Sequence, residues 1–332
     1  MCISVLSTAH PEYPFVLISN RDEFVNRPTA RADWWDPPHQ YVLGGRDLQR
    51  KEKGTWLGIT KQGRIAILTN FREEGDFEID NSKSRGAITN TYLTVPPDSS
   101  EKDEEFVQRL MDGVGIHNVG GFTMLFGKLK EPKEANGQIS MPGLALVSNR
   151  TETPSRLDRI ATKPNEVHGV SNSHFGDVSW PKVVHGEQLL RQAINASVTR
   201  KDSQETFIEH LFDILCVDAL PKRKNEEDWD MFVRHMRNSI MIPPAKGQLT
   251  EQNDSDTLRT VDENVQPQTA KVAAGKGAYG TSKQTVILVS REGKVTFVER
   301  TLYDGEGKPV SERERDNKVE FYIEGWDGTP KL

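Results

Sequence analysis

The chain has 332 residues, of which 35% are apolar, so it can bury a sizeable hydrophobic core. Its formal net charge is −6 and it has no basic stripe, which argues against a nucleic-acid partner or an anionic membrane surface. It has only two cysteines, no visible secretory signal and no apolar run of the about 18–20 residues that a transmembrane helix needs, so a reducing, cytoplasmic location is expected.

The first 75 residues are predicted to be mostly strands. Apolar segments at 3–6 and 15–19 predict one hairpin. A second pair is predicted at 55–60 and 64–69, joined by a polar loop in which Gly63 is free to take a positive φ. The alternation of apolar residues favours antiparallel pairing in both.

Helical patterns occupy the middle of the chain. Apolar residues three to four apart at 104–111 predict a short amphipathic helix that stops at Gly113. Stronger helices are predicted at 181–196 and 203–216, because Pro181 suits a first turn and Ser203 suits an N-cap.

Strands are predicted on both sides of these helices, at 121–128, 143–148, 285–290 and 295–299. The order of strands, helices and strands, without βαβ alternation, predicts an α+β fold of antiparallel sheets covered by helices. Residues 246–270 are polar and lack apolar periodicity. They are predicted to be a disordered insertion in a single domain spanning 1–332.

Cys2 directly follows the initiator Met1 and opens an apolar, β-branched run. Removal of Met1 would expose a thiol and an α-amine on one residue, and an α-amine with a pKa of roughly 7.7–8.0 can take the thiol's proton. Cys2 is therefore a candidate nucleophile that supplies its own base. The alternative is that it packs as a small apolar residue in the first strand.

Asn20-Arg21-Asp22-Glu23 is a dense polar cluster at the end of the second predicted strand, where a hairpin would bring it beside Cys2. Arg21 could lower the thiol's pKa and bind an acyl oxygen, and Asp22 could hold the α-amine. A surface ion pair or an Asx turn is the alternative.

Asn70 and Asn172 each follow a predicted strand, and side-chain amides of this kind can donate to an oxyanion, although asparagine at a strand end is often only a turn former. The eight histidines show no spacing typical of a zinc site, so no metal is expected. Trp34 and Trp35 could line an apolar ligand pocket or pack in the core.

Together these residues resemble the NRDE family, also called the transport and Golgi organisation protein 2 family. The name-giving stretch is Asn20-Arg21-Asp22-Glu23, and further matches lie at 34–35, 44–47, 54–58, 68–72, 84–86, 168–173, 180–182, 279–281 and 284–288. They span most of the chain in the expected order.

The resemblance implies the fold of N-terminal-nucleophile hydrolases, a four-layer αββα sandwich with two antiparallel sheets between helices. It also implies that Cys2 attacks an amide or ester carbonyl, that Arg21 and Asp22 orient nucleophile and substrate, and that Asn70 and Asn172 contact the amine or the oxyanion. One departure is that Ser282-Lys283 follows Tyr279-Gly280-Thr281, where relatives usually carry an arginine, so the cation is either supplied by Lys283 or missing. Lysine cannot supply arginine's bidentate geometry.

Two classes of function stay open at this point. In the first, the protein is an amidase or acyl hydrolase that uses Cys2 and needs no cofactor, within a family whose name implies a role in secretion and Golgi organisation. In the second, it is a non-catalytic carrier of haem or of a lipid-derived, apolar or acyl ligand, with Cys2 or a histidine as a ligand to haem iron. Peripheral association with the Golgi or mitochondria is compatible with either.

Overall fold

The computed structural model describes residues 2–71, 84–113, 116, 119–135, 138–222, 232, 234–246 and 278–327. Its strands are β1 Ile3–Ser7, β2 Phe15–Phe24, β3 Thr29–Trp34, β4 Val42–Asp47, β5 Leu57–Thr60, β6 Arg64–Asn70, β7 Phe122–Lys128, β8 Lys133–Ala135, β9 Gln138–Ser140, β10 Leu144–Ser148, β11 Arg159–Ile160, β12 Val167–Val170, β13 Ala245–Lys246, β14 Ala278–Val289, β15 Lys294–Thr301 and β16 Asp316–Tyr322. Its α-helices are α1 Arg85–Leu93, α2 Asp103–Gly113, α3 Pro181–Arg200 and α4 Gln204–Leu215.

The strands form two large antiparallel sheets. The first has the order β12-β1-β2-β14-β15-β16, with the short β13 paired to β14. The second has the order β11-β10-β7-β6-β5-β4-β3. A separate small hairpin joins β8 and β9.

Three apolar cores separate four layers. Between the sheets, side chains such as Leu17 and Phe297 meet Ile67 and Leu125. A second core joins the outer face of the first sheet to α3 and α4, and a third joins the outer face of the second sheet to α1 and α2. The predicted α+β class and its αββα layering are therefore confirmed.

Local sequence signals explain several of these elements. Ser203 caps α4, where its side chain accepts a hydrogen bond from the Thr206 backbone N–H at 3.2 Å. Pro181 occupies the first turn of α3, where a backbone N–H would have no partner within the helix, so proline costs no hydrogen bond there. Gly63 has a φ of 81° in the tight turn between β5 and β6, a conformation that favours glycine. The predictions made from these residues are confirmed.

Trp34 and Trp35 both pack against neighbouring structure. Trp35 is buried in the core under α1 and α2, and its indole N–H donates to the Gly44 carbonyl at 3.0 Å. Trp34 meets Phe321 edge to face, with ring centres 5.0 Å apart. The packing interpretation of this pair is the one that the structure supports.

Residues 247–270 of the predicted insertion lie outside the described residues, and the preceding Lys246 pairs with Ala278. Among the helices that the structure describes, none has the length and apolar character needed to cross a bilayer.

Candidate functional site

Strand register brings Cys2 into a polar cluster at one end of the first sheet. Ile3 of β1 lies opposite Asn20 of β2, and Ser4 lies opposite Val170 of β12. Continuing both ladders by one or two residues places Cys2 across from Arg21 on one side and Asn172 on the other. The Ser171 hydroxyl holds this end, because it donates to the Cys2 carbonyl at 2.7 Å.

The Cys2 thiol is shielded by its surroundings. Its Sγ lies 3.8 Å from the Asp22 carbonyl oxygen. Burial raises the pKa of this thiol, the Asp22 carboxylate raises it further, and the Arg21 guanidinium opposes the rise. With Met1 attached, the thiol is therefore expected to be protonated at neutral pH. Met1 itself lies outside the described residues.

This raised pKa predicts the pH dependence of Cys2 alkylation in a protein that carries an N-terminal extension. The rate with iodoacetamide should climb about tenfold for each pH unit and reach half its maximum at a higher pH in the folded protein than in the unfolded chain, because only the thiolate reacts. Mass spectrometry of the N-terminal peptide between pH 6 and 10 measures this rate. The same protein unfolded in guanidinium is the control and should react faster at pH 7.5. A folded protein that reacts as fast as the unfolded chain, or faster, at pH 7.5 would contradict the prediction.

Arg21 points into the space between the two sheets. It is 7% exposed, and its Nη1 donates to the Ser282 hydroxyl at 3.0 Å. Its guanidinium lies 4.5 Å from the ring centre of Trp56 and 4.0 Å from the Glu23 carboxylate. This cation therefore sits between an aromatic face of the second sheet and polar groups of the first.

Asp22 points the opposite way, toward the helices. Its Oδ1 accepts a hydrogen bond from the Thr281 hydroxyl at 2.6 Å, and its Oδ2 lies 4.0 Å from Nζ of Lys182. Both charged side chains are fully buried. The Tyr279 hydroxyl donates to the Asp22 backbone carbonyl at 3.2 Å. Neighbouring residues of one strand thus carry opposite charges on opposite faces, because successive side chains of a strand alternate.

Asn70 and Asn172 join the two sheets next to Cys2. The side-chain amide of Asn172 donates to the Asn70 carbonyl, and the Thr69 hydroxyl donates to the Ser171 carbonyl at 2.8 Å. The side chain of Asn70 forms no hydrogen bond with another described residue. All five predicted site residues are therefore at this end of the sandwich, although their chemical roles stay predictions.

Lys182 belongs to this cluster but was not predicted from the sequence. It lies in the first turn of α3 on the helix face shared with Gly186, Leu190 and Ile194. Burial lowers the pKa of Lys182. The negative charge of the Asp22 carboxylate opposes the change, as does that of Cys2 when it is a thiolate. The sequence does contain a signal for it. Lys182 lies four residues before Gly186 on the buried face of the helix, where small or apolar residues recur every four positions, and a lysine on such a face indicates a cation directed at the protein interior.

Lys283 is held by a different set of partners. It lies opposite Arg21 in the ladder between β2 and β14. Its Nζ donates to the Glu299 carboxylate at 2.9 Å and to the Thr301 hydroxyl at 3.1 Å. Lys283 and Glu299 are 3% and 1% exposed, so this cation neutralises a buried carboxylate.

No cluster of three or more histidine, cysteine, aspartate or glutamate side chains that could hold a metal ion occurs within the described part of the chain.

A family model described as Transport and Golgi organisation 2 matches residues 1–304. The chain belongs to this family. A human relative named Transport and Golgi organization protein 2 homolog is 30% identical over 298 residues, which cover 88% of each chain. An uncharacterised Saccharomyces cerevisiae protein is 26% identical over 321 residues, covering 92% of this chain and 93% of the relative. The Transport and Golgi organization protein 2 of Drosophila melanogaster is 25% identical and covers 87% of each chain.

Solved structures similar to this chain include two hydrolases. A conjugated bile acid hydrolase from Clostridium perfringens superposes with a TM-score of 0.40 and 11% identity, covering 96% of this chain and 92% of that one. An N-acylethanolamine-hydrolyzing acid amidase orthologue from Caenorhabditis elegans gives 0.38 and 13%, covering 68% and 88%. The two-sheet architecture of this chain is established by its own strand pairing.

Proposed function

We propose that this family member is a cysteine-type hydrolase of amide or ester bonds, with Cys2 as its nucleophile, and that it serves secretion and Golgi organisation. The observation that carries the proposal is the register of β1 with β2 and β12. It sets the residue that follows Met1 beside a buried arginine and a pair of asparagines. Acyl transfer requires an activated nucleophile and donors that stabilise the oxyanion, and a nearby cation adds electrostatic stabilisation.

The mechanism begins with removal of Met1. The free α-amine of Cys2 takes the thiol proton, and the thiolate adds to the carbonyl carbon of the substrate. Negative charge then develops on the carbonyl oxygen. Asn70 is the better oxyanion donor of the two asparagines, because the amide of Asn172 already donates to the Asn70 backbone. Arg21 supplies positive charge from the space between the sheets.

The tetrahedral intermediate collapses when the bond to the leaving group breaks, and the amine or alcohol takes the proton from the Cys2 ammonium. The resulting thioester is hydrolysed by water, for which the α-amine again acts as base, and the thiol is restored. Asp22 has a positioning role in this scheme. It anchors Lys182 and Thr281 behind the strand end that carries Arg21.

The intact mass of the purified native protein tests the first requirement. We expect a mass lower than that of the full sequence by one methionine residue, with Cys2 free or carrying an acyl adduct. The N-terminal proteolytic peptide locates any adduct, and the peptide that contains Cys216 is the internal control. A protein that keeps Met1 would contradict the proposal, because Cys2 would then lack its own α-amine.

Retention of Met1 would favour the alternative function, a non-catalytic carrier of haem or of a lipid-derived ligand. A thiolate or histidine ligand to iron needs no free α-amine. Haem uptake measured by absorbance in wild-type protein and in Cys2→Ala separates the two functions. Unchanged uptake in the variant would rule out Cys2 as the iron ligand.

A further inference from the structure

A polar cavity lies where β6 begins and β7 ends, at the end of the second sheet opposite the cluster around Cys2. Its volume is about 470 Å³. Five cationic side chains line it against three acidic ones, and the cations are Arg64, Lys102, Lys128, Lys130 and Arg159. Arg64 and Asn70 are six residues apart on β6, which separates the cavity from the Cys2 cluster by roughly 20 Å at about 3.3 Å per residue.

Arg64 is the most buried cation of this cavity, with 5% of its surface exposed. Its guanidinium lies 5.2 Å from the ring centre of Tyr92. In the ladder between β6 and β7 it stands directly opposite Lys128, another cation of the cavity wall. Like charges placed opposite each other on neighbouring strands repel, so this pair is destabilising by itself.

The three acidic residues of the wall have other cationic partners. Glu101 binds Arg109 through two hydrogen bonds of 2.7 and 2.9 Å. Asp103 and Glu104 lie 2.7 and 3.5 Å from the guanidinium of Arg159. Among the described residues, no carboxylate lies within 4.0 Å of the charged groups of Arg64, Lys128 or Lys130. These three positive charges therefore share one cavity without a counter-ion from the described chain.

Lys128 shows the effect of this concentration of positive charge. The pKa of Lys128 is lowered, first by burial and then by the positive charges of Arg64 and Lys130. An anion bound among these three cations would relieve their repulsion.

We propose that this cavity binds a phosphate monoester. Three cations that have no carboxylate partner among the described residues match a group that carries nearly two negative charges and three acceptor oxygens at neutral pH. Arg64 can bind two phosphate oxygens at once. Lys128 adds a point charge from the end of the neighbouring strand β7, and Lys130 adds another from two residues further along the chain. The site is independent of hydrolysis at Cys2.

Calorimetric titration with inorganic phosphate and with glycerol 3-phosphate tests the proposal. Wild-type protein should bind both, and Lys128→Met should weaken binding by at least about tenfold, the effect of losing one charge-assisted contact. Lys308→Met is the matched control, because it removes a positive charge from an exposed pair with Glu306 that does not line the cavity. It should bind as wild type does.

Melting temperatures separate a ligand site from a structural role. Phosphate should raise the melting temperature of wild type and of Lys308→Met more than that of Lys128→Met, a comparison that cancels the general stabilisation of folded proteins by phosphate. Without ligand, Lys128→Met should melt no lower than wild type, because the substitution removes the repulsion from Arg64. Equal effects of phosphate on wild type and on Lys128→Met, or equal phosphate affinity in the two lysine variants, would overturn the proposal.

The monoester could be free in solution or part of a lipid headgroup. Sedimentation with vesicles containing phosphatidic acid, with and without competing glycerol 3-phosphate, distinguishes these sources. Vesicle binding that Lys128→Met abolishes would place the phosphate on a lipid. Calorimetric binding without vesicle binding would place it on a soluble molecule.

Discussion

Cys2→Ala is expected to lower acyl hydrolysis by at least roughly 1000-fold, because loss of a nucleophile removes the covalent pathway. The melting temperature should change little, since the side chain is small and half-buried at the end of β1. Initial rates with a panel of p-nitrophenyl esters and N-acyl amides measure the loss. Burst-phase kinetics should show acyl-enzyme in wild type and none in the variant.

Cys216→Ala is the matched control, because Cys216 is the second cysteine of the chain and lies exposed at the end of α4. Its Sγ lies 3.8 Å from the Gln284 side chain, on the helix-covered face of the first sheet. Rates in this variant should equal those of wild type. Hydrolysis that persists in Cys2→Ala, or that falls equally in both variants, would contradict the assignment of the nucleophile.

Lys283→Met should lower the free energy of unfolding by about 3–5 kcal/mol, the usual cost of leaving one buried charge without its partner. The partner is Glu299, whose carboxylate also accepts a hydrogen bond from the Ala32 backbone N–H at 2.9 Å. Because Ala32 belongs to the second sheet, this carboxylate links the two sheets. Urea unfolding followed by circular dichroism gives the change.

Lys294→Met provides the comparison within the same sheet. Lys294 pairs with Glu320 at 3.1 Å, but both side chains are about one-third exposed, so the loss should stay below about 1 kcal/mol. The double variant Lys283→Met with Glu299→Gln should recover part of the stability, since no buried charge is then unpaired. Equal losses for Lys283→Met and Lys294→Met would show that burial does not control the contribution of these pairs.

Elements with clear periodicity were predictable from the sequence. Both N-terminal hairpins, the strand β7 and the helices α2, α3 and α4 follow from apolar spacing and from local signals at Gly63, Pro181 and Ser203. Boundaries agree closely where a cap fixes them. For example, α4 lies between its caps Ser203 and Cys216, the two ends of the predicted segment.

Other features depended on contacts between residues distant in sequence. β2 continues to Phe24, five residues beyond the predicted end, because buried partners satisfy its polar residues. The Asn20 amide donates to the carbonyls of Leu215 and Ile240 at 2.8 and 2.9 Å. No local sequence pattern reveals such partners, so the polar residues 20–23 resembled a turn.

The elements α1 and β16 escaped prediction for two different physical reasons. α1 contains glycine, asparagine and three β-branched residues, which weaken a helical pattern. β16 is an edge strand whose charged residues hide its alternation. The cluster residue Lys182 shows the same limit, because only the folded chain brings it to Asp22.

Arg21 and Asp22 lie on opposite faces of one strand, and this placement bears on how the sequences of relatives can differ. Changes around Arg21, at Trp56 or Ser282, alter the lining between the sheets without touching the buried charge of Lys182. Changes behind Asp22 alter the anchoring of the strand end while the lining stays the same. The two faces can therefore accumulate substitutions independently of each other.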